Sequence, residues 1–411
     1  MRAETVGFVV GLLAWASFTF AQPTTRAEVI EDQRDEKTVN LWPESQSPLV
    51  DQVNRLVERG LREGAESGLG GNGPQIVLGG MRSGQGTSFG VGYRRSDIWR
   101  ERLGFRATVR GTPRLAYMMD LDVDFKTLGT RSSFVNLYTK YEHSPRMDYY
   151  GPGHDSLEAD RTSYLLDDFS TDLNFGFQPS RRFRAGLTTG WVSVHTGTGN
   201  REGVPSIEEI FTPETTPGLG QDTSFLRWGG FFGFDYRDSR SGPKSGGFYG
   251  IRYRVYKDLD LAKFGFRQAE IDVQQYFPYF NGTRVVALRF SSTLSFDKKD
   301  QGVPYYQQPT LGGNDDLRGF QRYRFYDDNV LFASVEHRWH VFTALEMALF
   351  ADAGKVVRDR GDVDFADLRY SGGIGFRFRL LDAVVSRIDL AWSREGFRFM
   401  WTFSDIYKAR Y

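Results

Sequence analysis

Charged and aromatic side chains alternate in one short stretch of the sequence, residues 312–325, "GGNDDLRGFQRYRF". An arginine side chain presents a planar fork of N–H donors that can bind a carboxylate or a phosphate in a bidentate manner. Arginines interleaved with aromatic residues would suit nucleic-acid binding, whereas a solvated surface loop would simply tolerate the charges. The stretch therefore indicates ionic recognition centred on Arg318, and the surrounding elements must decide what is recognised.

A second pattern could carry nucleophilic chemistry. Residues 86–90, "GTSFG", match the Gly-x-Ser-x-Gly pattern around a catalytic serine. That chemistry needs a strand–turn–helix context and a base within hydrogen-bond distance of the serine. Ser88 is predicted to lie in a strand, and neither His337 nor His340 has an evident serine partner. A barrel-type hydrolase is therefore the least favoured alternative.

Composition excludes several classes of site. The chain has no cysteine and five histidines, none paired at metal-ligand spacing, and its acidic stretches lack the spacing of a calcium loop. We expect no cofactor and no metal. Lys plus Arg and Asp plus Glu are both 52, so the formal net charge is zero. A neutral chain lacks the basic excess that nucleic-acid binding requires, and no nucleic-acid partner is expected.

The N-terminus indicates export from the cytoplasm. Residues 1–21 contain an apolar run, "VGFVVGLLAWASF", followed by Thr19 and Ala21 at the positions that signal peptidase reads. We interpret 1–21 as a signal peptide; the alternative, an N-terminal membrane anchor, is disfavoured because the run is short.

Residues 22–74 are polar and contain one segment with helical periodicity. Leu49, Val53, Leu56, Val57 and Leu61 recur at the spacing of one helix face. The prediction is a periplasmic linker with one short amphipathic helix. Whether this helix plugs a lumen, lies on a surface or only links is left open.

From Gln75 onward the hydrophobic period becomes two. In "GIGFRFRL", Ile374, Phe376 and Phe378 alternate with glycine and with Arg377 and Arg379. Arginine inside a strand is costly unless that face is wet, so a charged lumen and an apolar exterior fit better than a soluble sandwich or propeller core. High glycine (46 residues) and aromatic content (15%) are also typical of a transmembrane β-barrel. No run of 18 apolar residues follows residue 21, which excludes a helical membrane bundle.

The sequence predicts an all-β fold, a 16-stranded antiparallel transmembrane β-barrel over residues 75–411. Short connections follow even strands and long ones follow odd strands, as expected when both chain ends lie in the periplasm. The predicted strands are approximately 75–81, 86–95, 102–111, 114–126, 131–142, 162–178, 182–194, 223–237, 247–257, 265–277, 283–296, 329–341, 345–356, 367–380, 385–394 and 397–407.

The arginine stretch lies in the long connection after strand 11, and its core is Leu317, Arg318, Gly319 and Phe320. In this position the tetrad resembles the tip of the inward-folded lid loop of the BamA/TamA-type outer-membrane superfamily, also called bacterial surface antigens. Three further segments extend the resemblance. They are "FADAG" at 350–354, with Phe350, Asp352 and Gly354, and "SVEHRW", with Glu336; the hairpin "DYRDSRSGPKSGGFYGIRY" at 235–253 is also similar to the family's.

The resemblance implies a pairing that strand parity supports. Glu336 and Asp352 both fall on the lumen side of their strands. We hypothesise that Arg318 pairs with Asp352 and takes Glu336 as a second acceptor. Gly319 would allow a tight backbone at the tip, and Phe320 would pack on the inner wall. The ion pair could lock the loop structurally without acting in transport, and the structural role is slightly favoured.

The resemblance also implies function and location. It implies a non-enzymatic barrel in the bacterial outer membrane that assists assembly or translocation of proteins, with membrane lipid and unfolded protein clients as partners. Members of the family usually carry periplasmic domains, which residues 22–74 are too short to hold, so we expect a separate periplasmic partner. The first and last strands would form a seam that opens laterally. A passive pore for small solutes is the main alternative.

Overall fold

The computed structural model describes residues 72–402 except 80, 83, 127–131, 241, 298–300, 343–344 and 381–382. The predicted signal peptide and the predicted helix of the linker lie outside the described residues, as does the end of the last predicted strand beyond Thr402. These predictions therefore stay predictions.

Sixteen antiparallel strands form one continuous sheet, and each strand pairs with its neighbour in the chain. All sixteen predicted strands are confirmed, and their ends differ from the prediction by a few residues. The strands are β1 Gly73–Leu78, β2 Phe89–Ile98, β3 Leu103–Gly111, β4 Tyr117–Lys126, β5 Ser133–Tyr149, β6 Thr162–Phe177, β7 Phe183–Thr198, β8 Thr223–Asp235, β9 Gly246–Asp258, β10 Phe266–Tyr279, β11 Arg284–Asp297, β14 Asn329–Phe342, β15 Leu345–Val357, β16 Arg369–Leu380, β17 Ala383–Ser393 and β18 Gly396–Thr402.

Two short strands that the sequence did not reveal lie inside the connection after β11. β12 (Thr310–Leu311) and β13 (Phe325–Tyr326) pair with each other, and they lie against β14 and β15 rather than joining the main sheet. The strand β5 also runs further than predicted, to Tyr149, so that the connection predicted over 143–161 is shorter.

In the described part of the chain, helix is confined to single turns. The α-helix α1 spans Ile207–Ile210, and three 3-10 turns span Glu158–Asp160, Tyr305–Gln307 and Arg360–Asp362. Within the part of the chain that the structure describes, none of the helices has the length and apolar character needed to cross a membrane.

The predicted alternation of faces is also confirmed. Arg377 on β16 has 1% of its side chain exposed, whereas its neighbour Phe378 is 40% exposed. On β18, Phe399 and Trp401 are both more than half exposed while Met400 between them is buried. A sheet with arginines inside and aromatic rings outside is the arrangement of a membrane barrel.

The connections that follow β5, β7 and β11 are the longest in the described chain and lie at one end of the barrel, which we call the loop end. The other end, the turn end, carries mostly short turns and the ten-residue connection 236–245 between β8 and β9. Side chains from several long connections and from the adjoining ends of β5–β10 pack into one buried, aromatic-rich cluster, the loop cap. Its members are Met147, Tyr149, Tyr164, Leu166, Val192, Val194, Ile207, Leu219, Phe225, Tyr256, Phe264, Phe266, Val303, Tyr305 and Tyr326. Edge-to-face contacts such as Tyr149–Tyr326, with ring centroids 4.9 Å apart, hold the connections together.

Among the described residues, β1 is the shortest strand of the main sheet, with six residues. β1 pairs with β2 from Gly73 to Leu78, and β18 pairs with β17 from Gly396 to Thr402. Neighbouring strands of the barrel wall, such as β5 and β6, pair over about twice that length. β1 therefore forms fewer ladder hydrogen bonds than strands in the middle of the sheet.

Candidate functional site

Residues 312–324, the lid loop, connect β12 to β13 and turn back into the barrel. Two adjacent glycines start the loop, and both have positive φ angles, +111° at Gly312 and +120° at Gly313. A side chain is strained in that backbone conformation, so the glycine pair permits the turn. The carboxylate of Asp316 accepts hydrogen bonds from the backbone N–H groups of Gly312 and Leu317, both at 2.7 Å, and closes the turn on itself.

Arg318 at the tip of the lid loop is completely buried. Its Nε donates to Oδ2 of Asp352 at 2.8 Å and its Nη2 donates to Oδ1 at 2.6 Å, which is a bidentate pair. Its Nη1 donates to Glu336, and its Nη2 lies 3.3 Å from Oγ of Ser334. The structure thus brings Arg318 together with both carboxylates that the sequence proposed for it.

Phe350 completes the cage around this guanidinium. Cζ of Arg318 lies 3.4 Å from the centroid of the Phe350 ring, within the range of a cation–π contact. Burial alone would lower the pKa of Arg318, but Asp352 and Glu336 hold that pKa well above its ordinary value. The arginine is therefore a permanent cation, and two carboxylates and an aromatic face compensate its charge.

The flanking residues of the tetrad anchor the loop by apolar contact. Leu317 and Phe320 are both fully buried. They belong to a cluster of side chains from the loop, its hairpin and the barrel wall: Leu311, Leu317, Phe320, Phe325, Val330, Phe332 and Val356. Phe320 meets Phe325 edge to face, with ring centroids 5.2 Å apart.

Gly319 and Gly354, the two glycines of the predicted site, lie where a side chain would clash with neighbouring atoms. Gly319 does not have a positive φ angle, so the reason the sequence suggested, a tight backbone, is not the one the structure shows. A Cβ atom on Gly319 would lie 2.6 Å from Cβ of Ser371 and 2.8 Å from Cβ of Ser393, because the loop tip presses on β16 and β17. A Cβ on Gly354 would lie 2.7 Å from the carbonyl oxygen of Leu331.

The ionic network continues past the residues that the sequence proposed. Arg377 bridges Glu336 and Asp389, with Nη2 2.8 Å from Oε1 of Glu336 and Nη1 2.7 Å from Oδ1 of Asp389. Nε of Arg338 donates to Oε2 of Glu336 at 2.7 Å. Nε of Arg387 lies 2.7 Å from Oδ2 of Asp389, and Nη2 donates to the carbonyl oxygen of Asn314 in the lid loop at 2.5 Å.

These further members form a layer across β14–β17. Four arginines, at 318, 338, 377 and 387, surround three carboxylates, at 336, 352 and 389, and all seven are buried. The alternation in "GFRFR" and "SRIDL" places Arg377 and Asp389 on the inner face, but which charges meet depends on strand register. In the structure Gly375 faces Asp389 in the ladder, and its missing side chain leaves room for Arg377.

Arg324 ties the base of the lid loop to two other connections. Its Nε donates to Glu395 in the β17–β18 turn at 2.9 Å, and its Nη1 and Nη2 donate to Ser156 in the β5–β6 connection at 2.8 and 2.6 Å. The rings of Tyr150 and Phe325 both lie within cation–π distance of its guanidinium, at 4.9 and 4.7 Å. The lid loop is therefore held at its tip by the barrel wall and at its base by its neighbours.

The contacts of this site fix the lid loop to the barrel wall. Each of its three carboxylates binds at least one arginine. Among the described residues no cluster of three or more potential ligands could hold a metal ion. Ser88, which directly precedes β2, lies at the loop end, whereas His337 and His340 lie near the turn end of β14. The structure does not bring these groups together.

Comparisons with known proteins agree with this geometry. The model of the Omp85 superfamily domain matches residues 69–399. BamA from Haemophilus ducreyi lacking POTRA domains 1–3 is similar in structure, with a TM-score of 0.60 and 16% identity over 80% of this chain and 70% of that chain. CdiB from Escherichia coli gives a TM-score of 0.51 and 11% identity over 80% of this chain and 61% of that one, so the chain spans less than two thirds of CdiB. Identities this low show a shared fold alone. The sequence matches no curated protein.

Proposed function

The chain belongs to the Omp85 superfamily of outer-membrane β-barrels, and from that premise we propose that it assists the assembly of proteins in the outer membrane or their translocation across it. The observation that carries the proposal is the lid loop, which Arg318 fastens to β14 and β15 inside the barrel. A loop so fastened keeps one half of the barrel wall rigid. Movement during transport would then be confined to the wall that the loop does not touch.

The terminal strands supply the second element of the proposal. β1 and β18 are the edge strands of the described sheet, and β1 is short; a short edge strand pairs weakly with its neighbour while exposing backbone groups to another chain. We propose that an unfolded client protein adds a strand at this edge, by the same backbone pairing that builds the barrel. Membrane lipid and a separate periplasmic protein that delivers the client would be the other partners, and no enzymatic step is involved.

Photo-crosslinking at the two edges tests this proposal. Ile76 on β1 and Phe399 on β18 both point outward, and each can be replaced by a photo-reactive amino acid in the full chain in cells. Leu187 on β7 is the matched control, because it is equally exposed but lies in the middle of the wall. Adducts with newly made outer-membrane proteins are expected at the edges alone. Equal adducts at Leu187, or none at either edge, would refute a role in assembly.

A passive pore is the second candidate, and the charged lumen favours it. A cavity of about 360 Å³ inside the wall is lined by charged side chains that include Asp122, Asp172, Arg252 and Arg254. The loop cap and the lid loop both lie across the path that a solute would take. If the protein is a scaffold, planar-bilayer conductance of the intact chain should be low and should rise when residues 312–324 are deleted. High conductance of the intact chain would favour the pore.

A further inference from the structure

A cavity of about 220 Å³ at the loop end collects cationic side chains, and none of the charged members of the Arg318 network lines it. We call it the arginine cavity. Five arginines line it: Arg114, Arg161, Arg201, Arg322 and Arg398. Among the described residues, Asp148 is the single carboxylate in its lining. The lining therefore carries a formal charge of +4.

The five arginines converge from five different elements. Arg114, Arg161 and Arg201 come from the connections that follow β3, β5 and β7, and Arg322 and Arg398 come from the lid loop and β18. A run of like charges along one exposed face is commonly only a solvated surface. Here the side chains are distant in sequence and meet around one space, which solvation of a surface does not require.

The existing partners leave much of this charge uncompensated. Arg161 forms a bidentate pair with Asp148, with both N–O distances 3.2 Å, and Nη1 of Arg201 lies 3.4 Å from the same carboxylate. Arg114 donates to the carbonyl oxygen of Gly84 at 2.9 Å. Among the described residues, Arg322 and Arg398 have neither an ion-pair partner nor a hydrogen-bond acceptor. Nε of Arg201 and Nε of Arg398 are buried without an acceptor.

An unpaired, partly buried guanidinium is costly because arginine stays charged at all ordinary pH values. Burial lowers the pKa of Arg322 and of Arg201, which is the direction expected for cations that are not fully compensated. The acidic residues nearby do not line the cavity, and Glu395 is already bound to Arg324 at 2.9 Å. An anion in the cavity would satisfy these donors.

We propose that the arginine cavity binds an oxyanion of the phosphate type, with Arg322, Arg398 and Arg201 as its principal donors. Several guanidinium groups directed at one point match the oxygens of a phosphate group. Phe399 and Trp401, which are exposed on the outer face of β18, also border the cavity. The cavity thus lies beside the apolar surface that faces lipid. A lipid headgroup and a soluble phosphate share the chemistry that the arginines recognise, and the site is independent of the proposed role in assembly.

Binding of phosphate to the full chain in a neutral detergent tests the proposal, with isothermal titration calorimetry as the readout. Inorganic phosphate is one probe; the other is phosphatidic acid in phosphatidylcholine nanodiscs, compared with phosphatidylcholine alone. The double variant Arg322→Gln/Arg398→Gln should weaken binding by about tenfold or more, because it removes two charge-assisted donor groups. The matched control is Arg267→Gln/Arg360→Gln, which removes two exposed arginines at the same end and should bind as the wild type does.

Asp148→Asn keeps the proposal falsifiable even if the double variant folds poorly. It removes the one carboxylate that competes for Arg161 and Arg201, so phosphate should bind more tightly, which misfolding would not produce. Binding of inorganic phosphate identifies a soluble ligand, and binding of phosphatidic acid alone identifies a headgroup. The proposal is overturned if neither probe binds the wild type, or if the double variant and the control weaken binding equally.

Discussion

The guanidinium of Arg318 lies over the ring of Phe350 while it binds Asp352, two residues further along the same strand, through two N–H groups. Because residues i and i+2 of a strand share a face, one strand supplies both the aromatic surface and the carboxylate. Glu336 reaches the same guanidinium from the adjacent strand. Arg318 is therefore the ionic centre of the contact between the lid loop and the wall, and a single substitution can measure its contribution.

Removing Arg318 should release the lid loop. Arg318→Ala would leave Glu336 and Asp352 buried without their central cation, and breaking a buried pair from one side costs about 3–5 kcal/mol. Arg318→Lys keeps the charge but loses the bidentate fork, so its loss should be smaller. The measurement is the temperature at which the folded band disappears on semi-native gels, together with protease cleavage within 312–324. Arg267→Gln, which removes an exposed arginine, is the control. Equal melting temperatures of the wild type and Arg318→Ala would contradict the role of Arg318 in fixing the lid loop.

A methyl group at the loop tip should be harmful because of its surroundings. Gly319→Ala places a Cβ 2.6 Å from Cβ of Ser371, and overpacking of this kind costs about 1–3 kcal/mol. Adding Ser371→Gly should restore part of the stability by making room. Gly361→Ala is the control, since nothing lies near its Cβ and its φ angle is ordinary. If Gly319→Ala melts like Gly361→Ala, the tip does not press on β16.

Arg377 and Asp389, two members of the network beyond Arg318, should contribute to stability in a coupled manner. Arg377 and Asp389 share a buried contact of 2.7 Å, and each single alanine variant strands the other charge. A double-mutant cycle on thermal or denaturant stability should therefore give a coupling of roughly 0.5–3 kcal/mol, with the double variant less destabilised than the sum of the singles. Additive losses would mean that the two residues act separately.

Stability should also depend on pH through the start of β14. Burial raises the pKa of Asp328, which accepts a hydrogen bond from Gln308 at 2.8 Å, to about 6. This value exceeds that of the unfolded chain, so the folded state takes up a proton. The contribution of Asp328 to the free energy of unfolding is fully present below the pKa of an unfolded aspartate, and it is lost as the pH rises through 6.

Replacing Asp328 by asparagine should change stability in one direction. Asp328→Asn should be more stable than the wild type at pH 7, by roughly 1–2 kcal/mol, and should show less change in melting temperature between pH 5 and 7. Some dependence should remain, because burial also raises the pKa of Asp327. Wild type and Asp328→Asn with identical pH profiles would show that Asp328 does not titrate in this range.

Much of the fold could be predicted because barrel strands alternate with a period of two and the turn lengths have a parity. The alternation in "GIGFRFRL" and "GFRFMWT" placed arginines inside and aromatic rings outside, and the structure agrees. The hairpin of β12 and β13 could not be predicted, since two-residue strands leave no periodic signal. The bridge that Arg377 forms between Glu336 and Asp389 could not be predicted either, because it depends on the register between β14, β16 and β17.

Among the described residues, the side chains that contact the Arg318 guanidinium all follow it in the sequence: Ser334, Glu336, Phe350, Asp352 and Asp389. The tip also presses on Ser371 and Ser393, which arrive later still. The chain therefore presents its arginine before these acceptors exist: the contacts of Arg318 need β14 and β15, and the remaining contacts of the tip need β16 and β17. Docking would then mark the completion of the C-terminal half of the barrel, and a chain that stalls before β17 would carry a loose, protease-sensitive loop.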